Sequence, residues 1–116
     1  MESSSAIAAL SSLAQASRLD VFRLLVQAGP SGLAAGAISS SLGLPASTLS
    51  FHLAHLTQSG LVSQRRESRS LIYAAAYDTM NALLAYLTEN CCQGDTTDCD
   101  TVTCDPLVVL TVSRSK

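Results

Sequence analysis

The sequence of 116 residues contains no tryptophan, and charged residues make up only 14% of it. An average soluble protein carries about 25% charged residues. A small chain so poor in charge and so rich in alanine and leucine usually covers part of its surface with a partner. Because symmetric dimers are the commonest assemblies of soluble proteins, we expect a homodimer.

Long apolar runs are also absent. None approaches the roughly 20 residues that a membrane-spanning helix requires, so no membrane association is expected. Residues 1–5 lack the basic start of a secretory signal. We therefore expect a cytoplasmic protein, whose thiols stay reduced and serve metal or redox chemistry instead of forming a disulfide framework.

Motifs for catalysis are missing as well. The sequence has no glycine-rich phosphate-binding loop and no evident set of serine, histidine and acidic residues. A cysteine nucleophile would need a nearby base, and the C-terminal segment that holds the cysteines contains no histidine. An enzymatic function is therefore not expected.

The charges that are present are unevenly distributed. The formal net charge is −2, but residues 1–90 carry five acidic residues and five arginines. Three of those arginines, Arg65, Arg66 and Arg69, fall within five positions. The acidic excess lies among the cysteines, at Asp95, Asp98, Asp100 and Asp105. The main body thus has one concentrated basic cluster, which suits an anionic partner.

Hydrophobic periodicity and turn residues predict a mainly α fold with a small β-hairpin, in the order α-α-α-α-β-β-α. Helices are expected at residues 6–14, 37–42, 46–58 and 77–92. Another helix is expected to begin at an N-cap, Ser17, with Asp20 completing a capping box, and to end near residue 29. Strands are expected at residues 61–62 and 71–73, and a further short strand at 107–112. Residues 32–36 are expected to form a loop or a short turn.

Two short helices joined by a glycine-containing turn are the sequence form of a helix-turn-helix. The second, at residues 46–58, begins with Ser47, Thr48, Ser50 and Phe51, which can contact base edges, phosphates and thymine methyl groups. No charged residue occurs from Ala46 to Ser59. Neutralisation of phosphates is therefore expected from the arginines of the hairpin, Arg65, Arg66 and Arg69. His52 and His55 are expected to help, and one of the two is expected to face outward.

Each of these residues also has a purely structural interpretation. Serines near a helix start often act as caps, an arginine-rich hairpin tip is often a solvated turn, and Phe51 and His52 could pack in the interior. The order of the elements favours DNA: a short helix, a glycine turn, a hydroxyl-rich helix and then a basic hairpin. A domain that binds protein through the same fold remains an alternative.

The segment from Leu42 to Leu53, followed by Leu56, Gly60, Leu61 and Val62, resembles the helix-turn-helix of the ArsR/SmtB family of metal-responsive repressors. The stretch from Arg65 to Arg69, followed by Tyr73, is similar to the wing of that family. The resemblance implies a winged helix-turn-helix domain over residues 1–92 that dimerises through its first and last helices. It further implies a palindromic double-stranded operator and repression of transcription until metal binds. The polar composition of the segment beyond the last helix predicts a flexible cysteine- and aspartate-containing tail over residues 93–116.

The resemblance also locates candidate residues. Ser47, Thr48, Ser50 and Phe51 fall where the family reads bases, although Phe51 replaces a polar residue common there. Residues 32–38 lack the paired cysteines that many arsenic-sensing members carry on the first helix of the motif. The sequence from Asn90 to Gly94, with Cys99, resembles instead a subgroup of arsenic-responsive members whose site follows the last helix.

All four cysteines, Cys91, Cys92, Cys99 and Cys104, lie in the last quarter of the chain. As(III) and Sb(III) bind three thiolates, and soft thiolates also suit Cu(I), Zn and Cd. The adjacent Cys91 and Cys92 could share an ion if the helix end frays at Gly94, and the six-residue spacer 93–98 lets Cys99 return as third ligand. Cys104 is a spare thiol, a fourth ligand or an exchange partner.

The segment has no C-x-x-C pair and no histidine, which disfavours zinc. We therefore expect a repressor released by As(III) or Sb(III) bound at Cys91, Cys92 and Cys99, which derepresses arsenic-resistance genes. The alternatives are a repressor of the same fold that senses Cd, Pb or Zn, one that senses thiol oxidation, and a constitutive repressor with idle thiols.

Overall fold

The computed structural model describes residues 1–90, which form five helices and a three-stranded antiparallel sheet. The helices are α1 (Ser3–Leu13), α2 (Ala16–Ala28), α3 (Ala35–Leu42), α4 (Ala46–Gln58) and α5 (Tyr77–Leu87), and the strands are β1 (Leu33–Ala34), β2 (Val62–Glu67) and β3 (Ser70–Ala75). The strand order is β1-β3-β2. The predicted order of four helices, a hairpin and a last helix is confirmed, and β1 is an addition.

The core is built where α2 packs against α4 and β3. Its largest fully buried side chains are all aliphatic and come from α2, α3 and α4 and from the residue before β2: Val21, Leu25, Ile38, Leu49, Leu53, Leu56 and Leu61. Met1–Leu83 form one compact unit, and the described residues 84–90 belong to a second. Within the described residues, no helix is long and apolar enough to cross a membrane.

The start of α2 differs from the prediction. The helix begins at Ala16, so Ser17 lies inside it and does not cap it. Gln15 is the N-cap, and its Oε1 atom accepts a hydrogen bond from the backbone N–H of Arg18 at 2.9 Å. A side-chain oxygen three residues before an otherwise unpaired amide satisfies that amide, whether a serine or a glutamine supplies it.

Segment 32–36 is neither the loop nor the short turn that was predicted. Leu33 and Ala34 pair with Tyr73 and Ile72 of β3, and α3 starts at Ala35, two residues before the predicted start. Strands β2 and β3 are also longer than predicted, because their pairing continues from Val62–Ala75 out to Glu67–Ser70. The hairpin arginines are polar, so their sequence pattern alone did not indicate a strand.

Helix α5 ends earlier than predicted. Its last helical residue is Leu87, and the carbonyl of Leu84 accepts hydrogen bonds from the Thr88 backbone N–H (3.1 Å) and hydroxyl (2.8 Å). Asn90 then adopts a left-handed conformation, with φ 57°. Asparagine tolerates this region better than most residues and often ends helices there. The predicted boundary between residues 92 and 93 and the predicted strand at 107–112 lie outside the described residues.

Candidate nucleic-acid interface

Helices α3 and α4 form the helix-turn-helix, and Ser39 stabilises the turn between them. The carbonyl of Ser39 accepts the backbone N–H groups of Gly43 (2.8 Å) and Leu44 (3.2 Å), and its hydroxyl donates to the carbonyl of Leu44. Gly43 takes the left-handed conformation, with φ 67°, that glycine adopts without strain. The conformation of the turn therefore depends on residues 39–44 alone, and it sets the orientation of α4 relative to α3.

Helix α4 buries one stripe and exposes the other side. Its buried residues recur at spacings of three and four positions: Leu49, His52, Leu53 and Leu56. The base-reading candidates are all exposed: Ser47, Thr48, Ser50 and Phe51. The structure thus brings these four predicted residues together on the accessible surface of the second helix of the motif, where a major groove can reach them.

Ser47 does not cap α4. The N-cap is Pro45, which offers no side-chain hydrogen bond to the first turn. The first backbone N–H groups of a helix have no partner within the helix, and they carry partial positive charge. The hydroxyl of Ser47 is therefore left for an external ligand, and the amides of the first turn are oriented to bind a phosphate.

The expectation that one of the two histidines faces outward is confirmed, and the one that faces inward is His52, a predicted DNA contact. Its side chain is 6% exposed, whereas His55 is exposed. Position 52 completes the stripe formed by Leu49, Leu53 and Leu56, so helical periodicity was the signal that could have placed it inside. Burial lowers the pKa of His52 below its usual value of 6.5, and the neighbouring Arg18 and His55 lower it further. His52 is therefore a neutral packing residue.

Arg18 is a residue that sequence reasoning missed. Its Nε atom donates to the carbonyl of Ser12 at 2.8 Å, and its Nη1 atom lies 3.5 Å from Nδ1 of His52. The last carbonyls of a helix have no partner within the helix, so Arg18 satisfies one at the end of α1 while it contacts α4. No local pattern predicts this role, because His52 is 34 positions away in the sequence.

The hairpin separates its two adjacent arginines. Side chains alternate between the two faces of a strand, so Arg65 and Arg66 of β2 point to opposite sides. The guanidinium of Arg65 donates to Glu67 (2.7 Å) and to the carbonyls of Ser31 (2.7 Å) and Pro30 (3.4 Å). Arg65 is therefore held against its own chain and is less available to DNA than predicted.

Arg66 lies on the side of the hairpin that faces α4. It shares that face with Gln64, which lines a cleft of about 410 Å³ together with Ser50, Ala54 and Gln58 of α4. Within residues 1–90, neither Arg66 nor Arg69 has an ion pair or a side-chain hydrogen bond. Of the three hairpin arginines, the two that are free for phosphates are thus Arg66 on the strand and Arg69 in the turn. Gln64 is a further polar residue beside α4 that the sequence analysis did not identify.

The cysteines predicted as metal ligands, Cys91, Cys92, Cys99 and Cys104, lie outside the described residues. Within residues 1–90, no group of three or more His, Cys, Asp or Glu side chains could hold a metal ion. The described end of α5 bears on the prediction that Cys91 and Cys92 belong to the last helix. The helix stops at Leu87, so the described helix does not extend to Cys91, four positions further along.

Comparison with known proteins decides the family. Residues 13–65 match the model of a family described as a helix-turn-helix domain. The chain is 32% identical over 93 residues to the transcriptional activator HlyU of Vibrio cholerae, covering 80% of this chain and 83% of that protein. It is 35% identical over 89 residues to the nodulation protein NolR of Rhizobium meliloti, covering 77% of this chain and 69% of that protein.

Comparison with solved structures indicates the same family. HlyU of V. cholerae superposes with a TM-score of 0.61 at 31% identity, covering 80% of this chain and 100% of that one. The homodimeric winged helix-turn-helix DNA-binding domain of Mb0332 from Mycobacterium bovis, a possible ArsR-family regulator, gives 0.61 at 27% identity, covering 79% and 85%. This chain is a winged helix-turn-helix transcriptional regulator of the ArsR/HlyU type. A structure of reduced HlyU from V. cholerae is also similar, with a TM-score of 0.57 at 30% identity over 78% of this chain and 93% of that one.

Family membership confirms three of the predictions. The chain is a DNA-binding transcriptional regulator, the hairpin β2–β3 is the wing of its motif, and its relatives are regulators and not enzymes. Which residues contact DNA stays a prediction. The structure narrows the candidates to the exposed residues of α4 and to the free arginines of the wing.

Proposed function

We propose that this regulator is a homodimeric repressor whose hold on operator DNA is weakened when As(III) or Sb(III) binds Cys91, Cys92 and Cys99. Genes for arsenic resistance would then be expressed. One observation carries the DNA-binding half of the proposal. The second helix of the motif exposes an uncharged, hydroxyl-bearing face, and the wing strand that follows it carries the free cation Arg66 on the same strand face as Gln64, which lines a cleft with α4.

The proposed contacts with DNA are of two chemical kinds, ionic and hydrogen-bonding. Arg66 and Arg69 supply the positive charge that α4 lacks, and they neutralise phosphates on the backbone. Ser47, Thr48 and Ser50 donate and accept hydrogen bonds at base edges or phosphates. His55 is exposed on the same helix and is available for a backbone contact. Arg65 instead holds strand β2 against the turn before β1.

Dimerisation is supported by apolar side chains that remain exposed. Helix α1 exposes Ile7 (62%) and Leu10 (43%), three positions apart, and α5 exposes Leu84 (40%) and Leu87 (54%) at the same spacing. Residues three apart lie on one side of a helix, so each helix carries an apolar stripe suited to a second copy. The similar Mb0332 domain is homodimeric, which favours the same assembly here.

The sensing half of the proposal depends on the chemistry of the donor set. Three thiols within nine positions provide the soft sulfur ligands that a trivalent arsenic or antimony ion requires. Cys91 follows directly after Asn90, whose left-handed backbone ends the described part of the α5 segment. To act as a switch, the ion must bind the DNA-free form more tightly, by about 1–3 kcal/mol of coupling.

The decisive experiment is a titration of a fluorescent duplex, recovered from a random library, with the protein under a phosphine reductant. Arsenite should lower the affinity by roughly 5- to 150-fold, the range that this coupling implies. Serine at Cys91, Cys92 or Cys99 should leave the affinity without arsenite unchanged and abolish the response. Cys104→Ser is the matched control, because it removes a thiol and should keep the response.

Counting thiols provides an independent measurement. Arsenite should protect three of the four thiols per chain from alkylation, as read by mass spectrometry. If arsenite protects none, or if the three single serine variants still release DNA, the arsenic assignment is refuted while the DNA-binding assignment stands.

Sensing of thiol oxidation is a second candidate, because one of the structures similar to this chain is that of reduced HlyU. Under this alternative, an oxidant without arsenite would release the duplex, and a reductant would restore binding. Under the arsenic proposal, arsenite releases the duplex in the continued presence of the reductant. The two titrations, run side by side on the same duplex, distinguish the two sensors.

A further inference from the structure

The outward face of α4 lacks the residues that read guanine and cytosine best. Arginine and lysine pair with guanine and carboxylates accept from cytosine, whereas α4 has none of these side chains. The centre of the face is formed by residues at spacings of four, three and four positions: Ser47, Phe51, Ala54 and Gln58. What remains for base recognition is hydroxyls, one amide, the imidazole of His55 and apolar surface.

Phe51 dominates the apolar part of this surface. Its side chain is 58% exposed, and it is the only aromatic residue among the exposed large hydrophobic residues of the described chain. The ring makes an edge contact with His55, with centroids 4.8 Å apart, and a tilted contact with His52 at 5.9 Å. These contacts hold the ring on the helix surface, so little side-chain freedom is lost when a partner covers it.

The charges around Phe51 favour DNA as that partner. Helix α4 carries no carboxylate that would repel a polyanion, and Arg66 lies on the side of the wing that faces α4. An aromatic ring that is exposed on a helix with hydroxyl-bearing residues on either side can enter a major groove while its neighbours contact the backbone. In that groove, the thymine 5-methyl group is the apolar feature that distinguishes one base from the others.

We propose that Phe51 is a specificity-determining residue of this regulator and contacts the 5-methyl group of one thymine in each operator half-site. His55 is a positioning residue that holds the ring in place. The inference rests on the proposed DNA-binding function and names the base-pair chemistry that the function selects. It predicts operators in which an A·T pair, in one orientation, lies opposite the middle of α4.

The test replaces thymines by deoxyuridine, one at a time, in a duplex selected with the wild-type protein. This substitution removes only the methyl group. One position in each half-site should lose affinity about fourfold, which corresponds to the burial of one methyl-sized group. In Phe51→Ala the affinity for the thymine duplex should be lower, and the difference between thymine and uracil at that position should vanish.

Two further variants test whether the aromatic ring at position 51, and not apolar surface in general, causes the preference for thymine. Phe51→Leu should retain part of the discrimination, whereas Leu19→Ala, which truncates an exposed apolar side chain on α2, should leave all affinities unchanged. His55→Ala should reduce the thymine preference without abolishing DNA binding. The uracil scan of the wild-type protein needs no variant, so it tests the proposal even if Phe51→Ala folds poorly.

Each outcome decides the question. A duplex without any uracil-sensitive position refutes the methyl contact, while DNA binding itself stands. Sensitivity that persists in Phe51→Ala assigns the methyl group to another residue and also overturns the proposal. A change of oligomeric state in Phe51→Ala, seen by light scattering without a change in base preference, would place the ring between copies of the chain and not on DNA. Failure of the wild-type protein to bind any duplex would refute the proposed function as well.

Discussion

The Nη1 atom of Arg18 on α2 lies 3.5 Å from the Nδ1 atom of His52 on α4. An arginine can only donate hydrogen bonds, so this contact needs an Nδ1 atom without a proton. The lowered pKa of His52 is consistent with that requirement, because burial and the Arg18 charge both disfavour the imidazolium. A helix that presents its other face to DNA is thus anchored through a neutral histidine.

A pH dependence of stability follows from this contact. Because the pKa of His52 is lower in the folded protein than its usual 6.5, the unfolded chain binds a proton more readily. The contribution of His52 to the free energy of unfolding is therefore fully present above pH 6.5 and is lost as the pH falls toward the folded-state pKa. Urea unfolding at a series of pH values should show this decline.

His52→Gln isolates the effect, because glutamine can still accept from Arg18 but does not titrate. The variant should lose the slope between pH 6.5 and about 5, where carboxylates begin to titrate. His55→Gln, which removes the exposed histidine of the same helix, should retain most of it. Equal slopes in His52→Gln and the wild type would show that His52 is not the titrating group.

The two neighbouring arginines of the wing should behave differently toward DNA. Arg66→Ala removes a free cation on the α4 side, so the slope of log affinity against log salt should decrease by about one per protomer. Arg65→Ala should change that slope by less than half as much, because its guanidinium already binds Glu67 and the carbonyl of Ser31. Binding titrations from low to moderate salt measure both slopes, and a larger change in Arg65→Ala would contradict this division.

Gly32 should not tolerate a side chain. Its φ is 71°, and a Cβ atom built there would lie 2.4 Å from the carbonyl oxygen of Tyr73. Because that neighbour is backbone of β3, β1 would have to separate from the sheet. Gly32→Ala should therefore lower the free energy of unfolding by about 2–3 kcal/mol, as measured by urea denaturation.

Gly36→Ala is the matched control for this substitution. Gly36 lies in α3, and a Cβ atom there would meet nothing within 4 Å. Alanine is the better helix former, so this variant should be as stable as the wild type or more stable by up to about 1 kcal/mol. Similar losses in both variants would mean that the close approach of Gly32 to β3 is not the cause.

Dimerisation should depend on the exposed stripe of α1. Ile7 is 62% exposed, and Ile7→Glu would place a charge in each half of a symmetric interface. The dimer dissociation constant should rise by roughly tenfold or more, as measured by sedimentation. Leu19→Glu, at a residue 40% exposed on α2, serves as the control and should leave the dimer intact. An unchanged dimer in Ile7→Glu would exclude this stripe from the interface.

The helix-turn-helix could be predicted from the sequence because its determinants are local. The bounds of α4, Ala46 and Gln58, followed from apolar spacing and from the glycines at positions 43 and 60, and the structure confirms them. The end of α5 was predicted too late, because the left-handed Asn90 gives a weaker stop signal than glycine. Strand β1 was missed, because two residues cannot show a period and their conformation depends on pairing with β3.

The amino-acid sequence by itself determined the family of this protein, the position of α4 as the second helix of its helix-turn-helix, and the grouping of its thiols. The spacing of residues along the chain is sufficient to identify each of these features. Only the tertiary structure decided what the buried His52 contacts and which of two adjacent arginines is free. Those outcomes depend on partners 34 positions away, as for Arg18 with His52 and for Arg65 with Ser31. A local pattern can tell which residues share a face, but packing decides what that face meets.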